Sequence, residues 1–259
     1  QRRNSAAVDW ASVFAHRPLR TADEAMGRKM RLYREFLEHD TLDAYWKRLY
    51  LTPQEYAGID IPVLAITGLF DTDQTGAIFT WTQVEEHAPA ARDKRFLVVG
   101  PWTHDLSLQG GAKPVGDMRF PDSAATDNRD MALRFFNHYL RGDSQTFDQP
   151  RVRVYMTGAD EWRSFDRFPL APSLAKPTAF HLASGGKAAT AAGNGTLSLN
   201  APSRKGVDQY VFDPRNPVVE AVASSASDIG QGHDRAIIQA RPDVLVYTGA
   251  PLEKAVEIA

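Results

Sequence analysis

The stretch Ile61-Pro62-Val63-Leu64-Ala65-Ile66-Thr67-Gly68-Leu69-Phe70-Asp71 decides the fold class. Residues 61–66 are apolar throughout, Pro62 sits where only the start of a strand tolerates it, and a carboxylate follows just past Gly68. A run with no polar alternation has no face to give to water, so it reads as a strand buried on both sides, as in a parallel sheet. Downstream, residues 74–87 read as a helix despite Gly76 and three threonines, and 96–99 as a second apolar strand ending at Gly100-Pro101. Residues 126–141 read as a helix with Met131, Phe135, Phe136, Tyr139 and Leu140 as its apolar set, closed by Gly142. Strand, helix, strand, helix is an α/β signature.

Residues 1–58 read as helical. Thr21-Ala22-Asp23-Glu24 has the form of a capping box, and Met26, Met30, Tyr33 and Leu37 fall on one stripe of a helix that ends near His39-Asp40. A shorter helical segment covers 43–50, and Pro53 opens another turn toward Gly58. Beyond Pro150 the period becomes two. Val152, Val154 and Met156 alternate with Arg151, Arg153 and Tyr155, which predicts a half-buried antiparallel strand. Short strands at 179–182, 196–199, 209–212 and 244–247, with a turn-rich connection over 183–195, predict a β-sandwich. The expected organisation is a helical region at 1–58, an α/β region at 59–146 and an all-β region at 147–259.

Composition narrows the function. The 259 residues are 43% hydrophobic and 24% charged, and 30 Lys and Arg against 32 Asp and Glu leave a net charge of −2. Such a balance carries no global field for nucleic acid or an acidic membrane, so neither is expected as a partner. Cysteine is absent, which removes disulfides, thiolate nucleophiles and cysteine zinc sites and leaves the compartment unassigned. No apolar run approaches the ~18 residues of a membrane helix, and no signal-peptide core follows Gln1-Arg2-Arg3-Asn4. A start at Gln1 reads as processing or truncation upstream. Asp71-Thr72-Asp73-Gln74-Thr75-Gly76 begins like a calcium loop but fails at Thr75 and at Thr82, where a bidentate Glu belongs. H-E-x-x-H is missing, and Ser184-Gly185-Gly186-Lys187 lacks the spacing of a phosphate loop, so no metal or cofactor is expected.

Two strand ends carry the candidate chemistry. Asp71 follows the first apolar strand, at the edge where parallel sheets deliver catalytic groups; alternatively, Asp71 or Asp73 caps the next helix. Gly100-Pro101-Trp102-Thr103-His104 follows the second. A lone loop histidine is commonly structural, but Asp and then His after successive strands is the order of the last two triad members in α/β-hydrolases. Trp81 and Trp102 line an acyl or aromatic pocket or, alternatively, are buried structural residues.

Gly68-Leu69-Phe70-Asp71, Gly100-Pro101-Trp102-Thr103-His104, the helix ending Phe136-Asn137-His138-Tyr139-Leu140-Arg141-Gly142, and Gly158-Ala159-Asp160-Glu161-Trp162-Arg163 resemble successive landmarks of the CocE/NonD hydrolases. That group contains cocaine esterase, α-amino acid ester hydrolases and X-Pro dipeptidyl-peptidases. Tyr210-Val211-Phe212-Asp213-Pro214-Arg215-Asn216-Pro217 and Asp243-Val244-Leu245-Val246-Tyr247-Thr248-Gly249-Ala250-Pro251-Leu252 are similar to part of its jelly roll, and His16-Arg17-Pro18-Leu19 and Asp43-Ala44-Tyr45-Trp46 fit its helical cap. The resemblance implies the C-terminal part of an α/β-hydrolase core with a helical cap at 1–58, followed from 147 by an incomplete jelly roll. It also implies a serine hydrolase acting on a small-molecule ester or amide, with Asp71 as triad acid and His104 as general base. In the amino-ester branch, carboxylates beside the triad Asp hold an α-ammonium; Asp73 keeps one such charge and Gln74 replaces another.

One departure stands out. No G-x-S-x-G occurs in the chain, and Gly142-Asp143-Ser144-Gln145-Thr146 lacks the second Gly and follows a helix. The resemblance places the serine and an oxyanion-hole tyrosine in a segment before Gln1, and Val256-Glu257-Ile258-Ala259 reads as a strand in mid-domain. Alone, these residues are expected to be inactive, because an acid and a base without nucleophile and oxyanion donors form no acyl-enzyme. The rival expectation is a non-catalytic carbohydrate- or ligand-binding jelly-roll protein, or a degenerate hydrolase that has lost its serine. Homo-oligomer formation is left open.

Overall fold

The computed structural model describes residues 9–142, 147–168, 176–203, 206–218 and 232–257. The Asp143-Ser144-Gln145-Thr146 peptide, Gln1-Arg2-Arg3-Asn4 and Ile258-Ala259 therefore lie outside the described residues. The chain divides into two units, 1–55 and 56–259. Among the described residues no helix is long and apolar enough to cross a membrane.

In the second unit the apolar runs become β1 (Val63–Gly68) and β2 (Arg95–Gly100), joined through helix α6 (Gln74–His87). They pair in parallel, Val63 opposite Arg95 and Gly68 opposite Gly100. Helix α8 (Asn128–Arg141) then leads to β3 (Val152–Met156), and β4 (Glu161–Phe165) closes the sheet in the order β1-β2-β3-β4. Strand β2 shows why these runs have no polar face. Phe96 and Val98 enter a cluster with Trp102, Met131, Phe135 and Phe147, while Leu97 and Val99 enter the opposite one with Trp81, Val152 and Val154. At about 1.5–3 kcal/mol per fully buried apolar side chain, this central strand has no alternative placement. Helix α8 starts at Asp127, whose carboxylate accepts from Asp130 N at 2.9 Å, and ends at Gly142 with φ +68°.

Strand β3 differs from the expected sandwich strand. It runs parallel to β2 and antiparallel to β4, so the sheet continues past residue 147. The alternation that suggested one wet face is misleading because its polar side is covered. Arg153 lies over the Trp162 ring at 4.5 Å, and Tyr155 is 1% exposed. A β-rich segment follows, with β5 (His181–Ala183) antiparallel to β6 (Thr196–Ser198). Residues 209–212 form no strand; Val211 and Phe212 are largely exposed. Residues 244–247 contribute a bridge from Leu245 to Ala189 rather than a ladder. Asp208 ties this segment together, accepting from Ser184 Oγ at 2.6 Å, Tyr247 Oη at 2.7 Å and Ala188 N at 2.9 Å.

The first unit holds α1 (Trp10–Ala15), α2 (Ala22–Ala25), α3 (Arg31–Glu38) and α4 (Ala44–Lys47), and α5 (Pro53–Ala57) crosses into the second. The single helix expected through Met26, Met30, Tyr33 and Leu37 is two helices, because Gly27 takes φ +81°. Buried Asp23 accepts from Met30 N at 2.6 Å and from Arg34 Nε at 2.9 Å. Hydrogen bonding to Arg34 lowers the Asp23 pKa to about 2. The expected capping box does not form either. Thr21 makes no cap bond, its hydroxyl donating to Pro18 O at 3.2 Å, and Glu24 pairs with Arg34 at 2.8 Å.

Candidate active site

Strands β1 and β2 end side by side at Gly68 and Gly100, and the chain beyond each turns over the sheet edge. Leu69 N donates to Gly100 O at 2.8 Å and Phe70 N to Trp102 O at 3.0 Å, so the two strand-end loops are joined backbone to backbone. This approach requires glycine. A Cβ on Gly68 would stand 2.0 Å from Trp102 O, and one on Gly100 2.4 Å from the Trp102 ring. The ring is fully buried and donates from Nε1 to Gly111 O at 3.0 Å. Gly68→Ala is therefore expected to lower unfolding stability by at least about 2 kcal/mol, since the clash is with backbone that cannot rotate away. A urea titration checks this, and a loss below about 0.5 kcal/mol would show that the loops are not locked.

These loops bring Asp71 and His104 together. His104 opens the short helix α7 (His104–Ser107), and its Nδ1 lies 3.1 Å from Asp71 Oδ1. The Asp71 side chain is 6% exposed and the imidazole 64%. Asp71 Oδ1 also accepts from Asp73 N at 2.9 Å, so the carboxylate orders its own turn and orients the ring. It is a turn anchor and an imidazole partner together, whereas Asp73, at the N-cap of α6, makes no side-chain cap bond. The His104 pKa is raised, first by the hydrogen bond to Asp71, then by the Asp71 charge, with smaller help from Asp73 and Asp105.

Asp73 is exposed at 76%, with Oδ2 3.6 Å from His104 Nδ1. Gln74 donates from Nε2 to Gly68 O at 3.1 Å and borders a cavity of about 1040 Å³ walled by Leu69, Ile78, Val99 and Met156. Donor atoms of Asp71, Asp73 and His104 lie within 4.8 Å of one another, the span of a three-ligand metal group. Within this cluster Asp71 Oδ1 is engaged by the Asp73 amide and the His104 imidazole.

Of the two alternatives for the tryptophans, the described residues show burial: Trp81 is 2% exposed and donates to Phe168 O at 3.0 Å, and Trp102 is wholly buried. Both sit against the sheet because its two faces need large apolar cover. Sequence reasoning missed the ring contacts that run from Phe70, next to Asp71, through Phe120 to Tyr155. Only the position of Phe70 next to Asp71 offered a signal.

The class defined here is an α/β protein whose parallel strands present a buried carboxylate and an exposed imidazole from adjacent ends. Residues 1–105 match the family model described as X-Pro dipeptidyl-peptidase (S15 family), and 144–259 match the model for the X-Pro dipeptidyl-peptidase C-terminal non-catalytic domain. A curated relative, a cocaine esterase of Rhodococcus sp. (strain MB1 Bresler), is 30% identical over 229 residues. That match takes in 86% of this chain and 38% of the relative. A solved α-amino acid ester hydrolase superposes with TM-score 0.72 at 26% identity, covering 89% of this chain and 38% of its own. An aminopeptidase from a marine sediment Thaumarchaeota archaeon shares the fold at TM-score 0.68 and 24% identity, covering 97% of this chain and 41% of its own. The chain belongs to the CocE/NonD and X-Pro dipeptidyl-peptidase (S15) family.

Proposed function

We propose that these residues supply the acid and base of a serine hydrolase that cleaves small-molecule esters or amides through an acyl-enzyme. The observation that carries this is the 3.1 Å contact between His104 Nδ1 and Asp71 Oδ1. With Nδ1 turned to the carboxylate, Nε2 is the atom that takes the nucleophile's proton and returns it to the leaving group, while Asp71 fixes the tautomer and stabilises the imidazolium. No G-x-S-x-G is present, and the chain spans 38% of the cocaine esterase it matches, so the nucleophile and oxyanion donors are assigned to sequence outside these 259 residues. In this reading 1–58 is a helical cap, 59–146 belongs to the hydrolase core and 147–259 to a jelly roll, the β3–β4 pair bridging the last two by joining the core sheet.

Asp73 stands beside the pair as an exposed carboxylate able to hold a substrate ammonium, and the apolar cavity beside Gln74 suits a substrate with an apolar group. In a protein that carries the nucleophile segment together with these residues, a fluorophosphonate probe is expected to label the G-x-S-x-G serine. Phenylglycine methyl ester is expected to show a higher kcat/KM than its deaminated analogue. An unlabelled serine overturns the hydrolase assignment, and equal specificity constants overturn the role of Asp73.

A further inference from the structure

The Gly158-Ala159-Asp160-Glu161-Trp162-Arg163 motif covers the end of the β3–β4 turn and the first residues of β4, away from both proposed catalytic side chains in sequence. Its residues nonetheless connect to both. Trp162 packs on Trp102, two positions before His104, with ring centroids 5.8 Å apart, and on Tyr155 at 5.4 Å. Tyr155 meets Phe120 edge-on at 6.0 Å, and Phe120 meets Phe70, the neighbour of Asp71, at 6.1 Å. Asp160, held at φ +54°, accepts from Tyr155 Oη at 3.1 Å and so fixes the middle of the chain of rings. A non-glycine residue in that conformation is disfavoured and persists where its surroundings hold it.

Phe120 has its own anchors. Pro121 follows it as the N-cap of a 3-10 turn, and the loop before it is tied to 232–234 by Asp117 N donating to Gly232 O at 2.8 Å and Asp234 N donating to Asp117 Oδ2 at 3.1 Å. Each ring contact is worth little by itself, but a packed row of rings resists displacement of either end. Asp71 and His104 sit on loops, so their separation depends on what backs those loops.

We propose that Phe70, Phe120, Tyr155, Trp162 and Trp102 form an aromatic brace that sets the Asp71–His104 separation, with Phe120 and Tyr155 as positioning residues. Its catalytic meaning rests on the hydrolase reading above; its geometric claim does not. The His104 titration reports the contact, because loss of the Asp71 hydrogen bond lets the imidazole midpoint fall toward its ordinary value.

The test is an NMR titration of the His104 ring in the 259-residue chain. Phe120→Ala is expected to lower the midpoint, in the direction of Asp71→Asn. Phe120→Tyr is expected to keep it, as is the control Leu108→Ala at a side chain that is exposed at 74%. Should Phe120→Ala not fold, Phe120→Leu retains most of the volume and is expected to shift the midpoint in the same sense. A folded Phe120→Ala or Phe120→Leu protein with the wild-type midpoint overturns the brace. In the nucleophile-containing protein the same variants are expected to lower kcat with KM little changed. A fallen midpoint without any hydrolysis there leaves the brace and removes the hydrolase; an unmoved midpoint with His104-dependent hydrolysis does the reverse.

Discussion

Replacing His104 by Ala in the protein that carries the nucleophile is expected to lower kcat about 10⁴-fold while leaving KM nearly unchanged. In the proposed mechanism the imidazole takes the nucleophile's proton, and the carboxylate 3.1 Å from its Nδ1 orients it. Asp71→Asn should cost a similar factor, because an amide at that position no longer selects the tautomer with Nε2 free to accept. The pH–rate profile separates the two changes. Asp71 raises the His104 pKa, so the acidic limb of the wild-type profile is expected above the ordinary imidazole value, and in Asp71→Asn it should move to lower pH. The sign for folding follows. A raised folded-state pKa means that the stability from this contact is full below the ordinary imidazole value and is lost as pH rises through the raised one. Steady-state kinetics across pH check the limb, and urea unfolding across pH checks the stability. A His104→Ala protein within tenfold of wild-type kcat would leave the pair without a role in the chemistry.

The second large effect is on stability and lies at Glu85. Its carboxylate meets Arg95 Nη2 and Arg151 Nη2, each at 2.7 Å, between helix α6 and the sheet. The Arg95 side chain is completely buried, donates from Nη1 to Val84 O, and stands 6.0 Å from the centre of the Trp81 ring. Burial lowers the Arg95 pKa and Glu85 opposes that, yet a guanidinium stays charged across the accessible pH range. Glu85→Ala therefore leaves a buried cation without the carboxylate that contacts it. The expected loss is about 3 kcal/mol or more of unfolding free energy, the scale for removing one partner of a buried pair. Urea unfolding measures it, with Glu86→Ala, at a side chain exposed at 65%, as the control. A loss under about 1 kcal/mol would show that water reaches Arg95. Replacing Arg95 and Glu85 together by apolar residues should recover part of the loss, because the cost lies in the unpaired charge.

Much of the sheet was legible because burial on both faces leaves a mark in the sequence. The strand at 61–66 and the helix at 74–87 emerge at or within two residues of the expected places, as does the helix closed by Gly142. Strand β3 was legible as a strand but not in its pairing. Arg151 and Arg153 look like solvent-facing residues, and only Glu85 and the Trp162 ring, both distant in sequence, explain how they are covered. Residues 209–212 show the converse, since an apolar composition makes no strand without a neighbour to supply its hydrogen bonds. The break between α2 and α3 turned on Gly27, and a buried carboxylate at Asp23 gave no periodic signal.

By itself the sequence determined that two apolar runs, each followed by a loop with one titratable side chain, would lie in a sheet and present Asp71 and His104 at its edge. That Gly68 and Gly100 stand where no side chain fits came from the approach of Trp102 to both in the folded chain. Tertiary structure decided the rest: that the two side chains meet at 3.1 Å, that Trp81 and Trp102 are buried, and that Phe120 joins the Phe70 ring to Tyr155. The physical reason is one of range. Hydrophobic periodicity and turn chemistry act over a few residues and are written along the chain, whereas the separation of two loop side chains depends on packing between segments that meet only when the chain is folded.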